Sequence, residues 1–341
     1  MNRLSSPIER MKSHYAVIVV GSGYGGAIAA SRLARAGQPI CVLERGKEFQ
    51  PGEYPDTEPV AVCEMQAHTA QGHIGPRTGL YDFHMGGDIN AFVGCGLGGT
   101  SLVNANVSLR AEPRVFDDSR WPQSLRADLN TLLEDGYRRA EEMLKPMPYP
   151  KDFPILPKLA AHEKSAAAMQ QPFSRPPINV TFTDGVNHVG VDQRACVLCG
   201  DCVSGCNHRA KNTVLMNYLP DAWNHGAEIY TQVAVRHLER RNNRWVVHYQ
   251  LLNSGRERFD APTLFVTADL VILGAGTLGS TEILLRSKAL GLSVSDTVGQ
   301  HFTGNGMCWG SAITPIRSSM ASASGRGRRK IETRWGRVLP A

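Results

Sequence analysis

Long apolar stretches are missing from this sequence. No run approaches the ~18 consecutive apolar residues of a membrane-spanning helix, so no membrane span is expected. The first fourteen residues, MNRLSSPIERMKSH, are polar and lack the apolar core of a secretory signal peptide. These absences favour a cytoplasmic protein, in which the eight cysteines are expected to be thiols or metal ligands rather than disulfides.

The body of the chain also lacks an excess of charge of either sign. The formal net charge is +6, and the segment from Arg317 to the end carries seven basic residues and one acid, Glu332. Residues 1–316 are therefore neutral overall. Because a neutral body has no electrostatic footprint for nucleic acid, we expect no nucleic-acid partner.

A glycine loop near the N-terminus gives the first positive signal. The loop is GSGYGG, and its members include Gly21, Gly23, Tyr24, Gly25 and Gly26. A strand is predicted at 16–20, an alanine-rich helix at 27–36 and a second strand at 38–43, which Glu44 closes. In this arrangement helix N–H groups meet a pyrophosphate and the acid accepts a ribose hydroxyl, so the stretch indicates a dinucleotide site.

Two later stretches extend this pattern. A second glycine loop contains Gly98 and Gly99, and the run DLVILGAG at 269–276 is a strand that ends in Gly274 and Gly276. A helix at 277–287 follows that strand, and further strands are predicted at 227–238 and 244–252. Two strand–glycine–helix units predict an α/β fold with a doubly wound, Rossmann-type cofactor domain. The additional loop is more than NAD needs and favours FAD.

Proline- and glycine-rich segments interrupt the cofactor domain and predict an interleaved α+β subdomain. His68, His73 and His84 lie in such a segment without metal-like spacing, and we interpret them as ordinary polar residues. The predicted units are a polar tail (1–14), the FAD-binding domain (15–46, 91–110 and 191–310), a cap or substrate subdomain (47–90 and 111–190) and a basic tail (311–341).

A dense run of cysteines, CVLCGDCVSGC, is the second strong motif. Its members are Cys196, Cys199, Cys202 and Cys206, and their spacing matches a bacterial ferredoxin run. Asn207 stands where such runs have proline, and no second run supplies a partner cluster. An iron–sulfur cluster, a zinc ion and a metal-free reduced loop are therefore the three alternatives.

Four stretches in this order resemble the GMC (glucose–methanol–choline) oxidoreductase family, most of all its cholesterol-oxidase-like branch. They are VVGSGYGGAIAASRLARAG with LERG, GCGLGGTSLVNANV, CVLCGDCVSGCNHRAKNTVLMNYL, and VILGAGTLGSTEILLRS with VGQHFTGNG. The resemblance covers residues 15–306. It implies FAD as the cofactor and oxidation of an alcohol, in which hydride moves to flavin N5 while a base takes the hydroxyl proton.

The resemblance also implies positions along the cofactor. The pyrophosphate would face Gly21, Gly23 and Gly26, while Glu44 would face the adenosine ribose and Val233 the adenine. The flavin side would be lined by Gly98, Gly99, Ser101, Asn104 and Asn106. Some members hold an iron–sulfur cluster in cysteines beside the flavin, which favours that alternative for the cysteine run.

The resemblance ends before the segment that would carry the catalytic base. His301 does not match that base, so no catalytic residue is assigned. No family motif follows Gly306, and we expect a frameshifted or prematurely ended tail rather than a native basic extension.

Two other functions compete with alcohol oxidation. One is a flavin/iron–sulfur reductase that takes electrons from NAD(P)H at a site formed by Gly274, Gly276 and Gly279. The other is an inactive FAD-binding remnant. The substrate is left open among sterols, sugars and simple alcohols, and the electron acceptor among oxygen, a quinone and a cytochrome.

Overall fold

The structure, a computed structural model, describes residues 2–256 and 261–304. Its strands are β1 (His14–Val20), β2 (Ile40–Leu43), β3 (Met65–Thr69), β4 (Gly72–Ile74), β5 (Tyr81–Met85), β6 (Asn90–Gly94), β7 (Met147–Pro148), β8 (Pro177–Ile178), β9 (Gly185–Val186), β10 (Asp192–Gln193), β11 (Glu228–Tyr230), β12 (Val233–Arg241), β13 (Arg244–Leu251) and β14 (Leu264–Leu273). Its α-helices are α1 (Tyr24–Arg35), α2 (Glu58–Cys63), α3 (Gln123–Ala127), α4 (Glu134–Leu144), α5 (Pro157–Ala168), α6 (Tyr218–Asn224) and α7 (Gly276–Ala289). Short 3₁₀ turns occur at Ile8–Arg10, Gly99–Leu102, Pro113–Asp117 and Val214–Met216, and a π-helical turn at Leu129–Leu133.

None of these helices is both long and apolar enough to cross a membrane. The basic tail at 311–341, and the predicted frameshift or premature end within it, lie outside the described residues. So does Gly306, the last residue of the family resemblance.

A six-stranded sheet in the order β11-β2-β1-β14-β13-β12 forms the centre of the molecule. Strands β11, β2, β1 and β14 are parallel, while β13 and β12 continue the sheet in antiparallel pairing. Parallel neighbours need a crossover, and α1 provides it between β1 and β2. With α7 following β14, the sheet confirms the predicted α/β, doubly wound architecture.

The strand predicted at 227–238 is in fact two strands at opposite edges of this sheet. Gln232 has φ of 59°, a left-handed conformation that ends β11 and starts β12. Because only residues 231 and 232 join the two edges, the sheet must curl. This break leaves no sign in the sequence, since glutamine is an unusual residue for a left-handed turn.

The two faces of β1 pack into two different hydrophobic cores. Val17 and Val19 pack with residues of α1 and α6, while Ile18 and Val20 pack inside the curl with β12, β13 and Ile283 of α7. Side chains alternate between the faces of a strand, so a strand buried on both sides must be apolar throughout. That requirement explains the run AVIVV and why its position could be read from the sequence.

Glycines meet where α1 crosses the ends of β1 and β14. A Cβ on Gly26 would lie 1.9 Å from the carbonyl oxygen of Gly21, and one on Gly274 would lie 2.7 Å from Cα of Gly26. Gly21 itself has φ of 89°, and a Cβ there would lie 2.6 Å from Cα of Ala275. The two strand–glycine–helix units are therefore packed backbone to backbone.

A second sheet, in the order β4-β3-β5-β6, forms mostly from the 47–90 segment of the predicted cap subdomain, in which no individual strands were predicted. Strands β3 and β5 pair in parallel, with β4 and β6 antiparallel at the two edges. The strands are three to five residues long and mix polar with apolar residues. Such short strands show little periodicity, which is why the sequence did not reveal them.

The segment between the second glycine loop and the cysteine run lies mostly at the surface. It contains α3, α4 and α5, and none of these three helices has a buried residue. Its strands are two residues long and pair as β7 with β8 and β9 with β10. The extent of a cap subdomain at 47–90 and 111–190 stays a prediction.

We expect the substitution Gly26→Ala to lower the free energy of unfolding by about 3 kcal/mol, because its Cβ has no space against the backbone of Gly21. Gly25→Ala is the matched control, since a Cβ on this neighbour in α1 would have nothing within 4 Å. An alanine there should stabilise the helix by up to ~1 kcal/mol. Urea denaturation of both variants measures the difference, and equal effects would contradict the close crossing.

Candidate functional site

A cavity of about 1720 Å³ opens at the carboxyl ends of β1 and β14. In open α/β sheets this edge is where ligands bind. Of the predicted cofactor residues, those that line the cavity are Gly21, Gly23, Tyr24, Gly25, Glu44, Gly99, Asn104, Val233, Gly274 and Gly276. Four others lie outside the lining, namely Gly26, Gly98, Ser101 and Asn106.

The N-terminus of α1 is the part of the wall best suited to an anion. The helix starts at Tyr24 with Gly23 as its N-cap, and its first turn contains no acidic residue. The first N–H groups of a helix have no partner within the helix, and the helix dipole adds positive potential there. This end of the cavity can therefore bind a phosphate or pyrophosphate group.

Glu44 joins the end of β2 to the first glycine loop. Its buried carboxylate accepts hydrogen bonds from the backbone N–H of Ser22 (3.0 Å), the hydroxyl of Ser22 (2.6 Å) and the N–H of Gly46 (2.8 Å). Oε2 accepts both bonds from Ser22, whereas Oε1 accepts only the bond from Gly46 and keeps a lone pair with which it can accept a ribose hydroxyl from the cavity. The ribose contact stays a prediction.

Ser22 extends this link to the second glycine loop, and it was not among the residues predicted from the sequence. Its hydroxyl accepts a hydrogen bond from the N–H of Gly98 at 2.9 Å. Gly99 has φ of 56°, and a Cβ there would lie 2.8 Å from Cα of Gly23. The two glycine loops thus touch, and a side chain at Gly99 would have no space against Gly23.

Ser101 holds the second loop from behind rather than lining the cavity. Its hydroxyl donates to the carbonyl oxygen of Gly98 (2.6 Å) and accepts from the N–H of Val214 (3.2 Å). Asn104 does reach the cavity, where its amide donates to the Tyr24 hydroxyl at 2.8 Å. Burial raises the pKa of Tyr24, so its hydroxyl keeps its proton at neutral pH.

A buried lysine that the sequence did not mark connects this loop to the cysteine run. The ammonium group of Lys211 donates to the carbonyl oxygens of Leu102 (2.9 Å), Asn104 (2.8 Å) and Cys202 (2.8 Å). Burial lowers the pKa of Lys211 to about 8, although the nearby thiols of Cys202 and Cys206 oppose that shift. A positive charge therefore lies between the second glycine loop and the cysteines.

The four cysteines of the run surround a small cavity of about 20 Å³. All are half-buried free thiols, and burial raises the pKa of Cys199 to about 11. Across residues 2–256 and 261–304, no three of their sulfur atoms lie within 4.8 Å of one another. A zinc ion would hold four thiolates ~3.8 Å apart, so the loop as folded is not a zinc cage.

The histidines interpreted as ordinary polar residues are in fact brought together by the second sheet. His68 on β3 lies opposite His84 on β5, and His73 on β4 lies opposite His68. His68 and His84 line the cavity together with Asp82. Burial lowers the pKa of both His68 and His73. Spacing along the chain could not show this, because strand register places these rings side by side.

Known proteins similar to this chain include several alcohol oxidases. A cholesterol oxidase of Mycobacterium tuberculosis is 31% identical over 300 residues, covering 82% of this chain and 49% of the relative. One from Acinetobacter baumannii is 26% identical over 311 residues, covering 85% and 54%. A long-chain-alcohol oxidase of Arabidopsis thaliana is 28% identical over 217 residues, covering 63% and 26%. The chain spans about half the length of the two cholesterol oxidases.

A family match accounts for nearly the whole described chain. Residues 15–315 match the family described as GMC oxidoreductase. The matched range includes both glycine loops, the cysteine run and the strand–glycine–helix unit of β14 and α7, which are the stretches that carried the resemblance in the sequence. The chain therefore belongs to the GMC oxidoreductase family.

Proposed function

We propose that this chain provides the FAD-binding part of an oxidoreductase that oxidises an alcohol. The observation that carries the proposal is the cavity in which the N-terminus of α1, Glu44 and the second glycine loop converge. Family membership implies FAD as the cofactor, and the relatives are named for cholesterol and long-chain alcohols. We therefore favour a sterol or another apolar alcohol as the substrate.

The cavity residues suit the successive parts of FAD. The N–H groups at Gly23 to Gly25 would bind the pyrophosphate, and Glu44 would accept from the adenosine ribose. Val233, at the start of β12, would lie beside the adenine, and Asn104 with Tyr24 would orient the flavin. Bound FAD would supply a hydride acceptor. We assign no catalytic base among the described residues.

The competing NAD(P)H reductase would need a separate nucleotide site in the unit formed by β14 and α7. Gly274 and Gly276 of that unit line the same cavity as Gly21 and Gly23. Gly274 also lies against the backbone of Gly26. Because the second unit completes the wall of the first site, it does not form an independent one, and this geometry favours alcohol oxidation.

We expect Glu44→Gln to weaken FAD binding by about tenfold or more, since a charge-assisted hydrogen bond contributes ~1.5–3 kcal/mol. Glu48→Gln is the matched control, because this acid is equally buried and accepts from the N–H groups of Leu4 and Ser5 but does not line the cavity. Flavin fluorescence titration measures both dissociation constants. An equal loss in the two variants would argue that Glu44 acts through folding alone.

The reaction class can be tested by anaerobic reduction of the flavin. We expect cholesterol or a long-chain primary alcohol to bleach the flavin absorption of the loaded protein slowly, because no base is assigned among the described residues, and NADH to leave it unchanged. Bleaching by NADH alone would establish the reductase. Binding of FAD without bleaching by any alcohol would point to the inactive remnant. Admitting oxygen, a quinone or a cytochrome c to the reduced protein then identifies the electron acceptor.

We further propose an iron–sulfur cluster in the cysteine loop. A cluster bonds its cysteines to different iron atoms, so it does not need three sulfurs within 4.8 Å of one another, and no three of the four sulfurs are that close. The buried ammonium group of Lys211 offsets the negative charge of such a group. The cavity of about 20 Å³ is small, so the loop must widen around the cluster. The support for this proposal is the run of four cysteines together with the buried ammonium group of Lys211.

Anaerobic purification of the full chain tests this cluster. We expect iron and acid-labile sulfide in equal amounts and a paramagnetic signal in one redox state. In Cys202→Ser the iron, the sulfide and the signal should all be lost. Cys63→Ser is the control, since Cys63 is an exposed thiol outside the loop. One zinc ion per chain without iron, or no metal at all in the wild-type protein, would rule the cluster out.

A further inference from the structure

The face of the second sheet that borders the cavity carries two histidines and an aspartate in contact. His68 and His84 are opposite each other in the parallel pair β3 and β5, and Asp82 is two residues before His84, hence on the same face. Nε2 of His68 lies 3.3 Å, and Nε2 of His84 3.5 Å, from Oδ1 of Asp82. All three ligand atoms lie within 4.8 Å of one another.

The polar atoms at the centre of this group lack hydrogen-bond partners. Within the described part of the chain, neither Oδ1 of Asp82 nor Nε2 of His68 forms a hydrogen bond of acceptable geometry, although both atoms are buried. Buried polar side-chain atoms nearly always have a partner, because an unsatisfied one loses its hydration without compensation. The two atoms lie 3.3 Å apart at the edge of the cavity without a well-directed hydrogen bond between them, an arrangement that a shared cation would satisfy.

Asp82 is held so that only one of its oxygens is available. Its side chain is fully buried, and its Oδ2 is bound by the guanidinium group of Arg45. Arg45 also donates to Oε1 of Gln66 at 3.3 Å, which fixes the guanidinium against the sheet. The remaining oxygen, Oδ1, therefore faces the two imidazoles as an acceptor with a fixed orientation.

The separations agree with those around a transition-metal ion. With metal–nitrogen and metal–oxygen bonds of ~2.0–2.1 Å, neighbouring ligands of a tetrahedral site lie ~3.3 Å apart. The two nitrogen–oxygen separations, 3.3 and 3.5 Å, fit this value. Two histidines and one carboxylate are also a common donor set for zinc and for other first-row divalent ions with an open coordination position.

We propose that His68, Asp82 and His84 bind a divalent first-row transition-metal ion of the zinc class at the wall of the cavity. The imidazole rings stack almost in parallel, with centroids 4.5 Å apart and planes 9° apart, so their lone pairs do not yet converge. The χ2 torsion of histidine is broad, so a small ring rotation can turn these lone pairs toward a shared ion while the nitrogen–oxygen separations stay close to those found here.

His73 lies next to His68 but is not one of the proposed metal ligands. Its ring contacts that of His68 edge-on at 4.7 Å, and its Nε2 is bonded to the carbonyl oxygen of Gly75 at 3.0 Å. A second stacked pair, His237 and His248 with centroids 4.1 Å apart, lies on β12 and β13. There Nε2 of His248 is hydrogen-bonded to Glu239 at 3.1 Å, so this pair provides a matched control.

The test is metal binding to the full chain after removal of bound metal with a chelator. We expect one Zn²⁺ per chain, measured by equilibrium dialysis, that depends on these residues. In His68→Gln/His84→Gln the affinity of that site for Zn²⁺ should fall by at least about 100-fold. Replacing a residue that only hydrogen-bonds to a metal ligand already lowers metal affinity by about 10–100-fold, and this variant removes two ligands. The variant His237→Gln/His248→Gln should bind as the wild type does. Equal binding in both double variants, or no uptake by the wild type, would overturn the proposal.

Cobalt(II) separates this site from the cysteine loop. A site of two imidazoles and a carboxylate gives weak visible d–d bands, whereas thiolate ligands add intense near-ultraviolet charge-transfer absorption. We expect visible bands without charge transfer that disappear in His68→Gln/His84→Gln and persist in Cys202→Ser. Zn²⁺ should also raise the melting temperature of the wild type but not of the histidine variant. Charge-transfer bands alone would assign the bound metal to the cysteines and contradict the site.

Discussion

Helix α1 crosses the ends of β1 and β14 so closely that no side chain fits between the backbones. The position of the other parts of the site depends on this backbone contact. Gly26 lies on the carbonyl group of Gly21, and Gly274 lies on Gly26. Backbones this close bring the N-terminus of α1 to the carboxyl edge of the sheet, where its free N–H groups face the cavity. The same contact places the second strand–glycine–helix unit beside the first, so that both units form one site.

Hydrogen bonds extend this backbone contact to loops that are distant in sequence. Glu44 connects β2 to the first glycine loop through Ser22, and Ser22 connects that loop to Gly98. Lys211 then joins the second loop to the cysteine run by three bonds to carbonyl oxygens. Each of these groups is buried, so losing one partner would leave another unsatisfied. Shared buried hydrogen bonds therefore link the loops of the cavity wall to one another.

The sequence revealed those parts of the site that depend on local geometry. Strands buried on both faces, glycines at backbone contacts and the acid that ends β2 all leave a pattern along the chain. Contacts set by tertiary structure leave none. Lys211 is one lysine among many until the fold buries it. Ser101 stays a predicted cofactor contact, and the sequence did not show that its hydroxyl also holds the loop. The break at Gln232 was missed because a left-handed residue other than glycine or asparagine has little sequence signature.

The histidines of the second sheet show most clearly that spacing along the chain does not reveal which residues the strand register brings together. A shift of one residue between β3 and β5 would turn His68 to the opposite face and separate it from Asp82 and His84. Gln66 opposes that shift: it is 1% exposed, donates to the carbonyl oxygen of Gly79 at 2.7 Å and accepts from Arg45. Arg45 in turn binds Asp82. The residue that follows Glu44 thus orients the carboxylate of the histidine group, so the end of β2 controls both the nucleotide side of the cavity and its histidine wall.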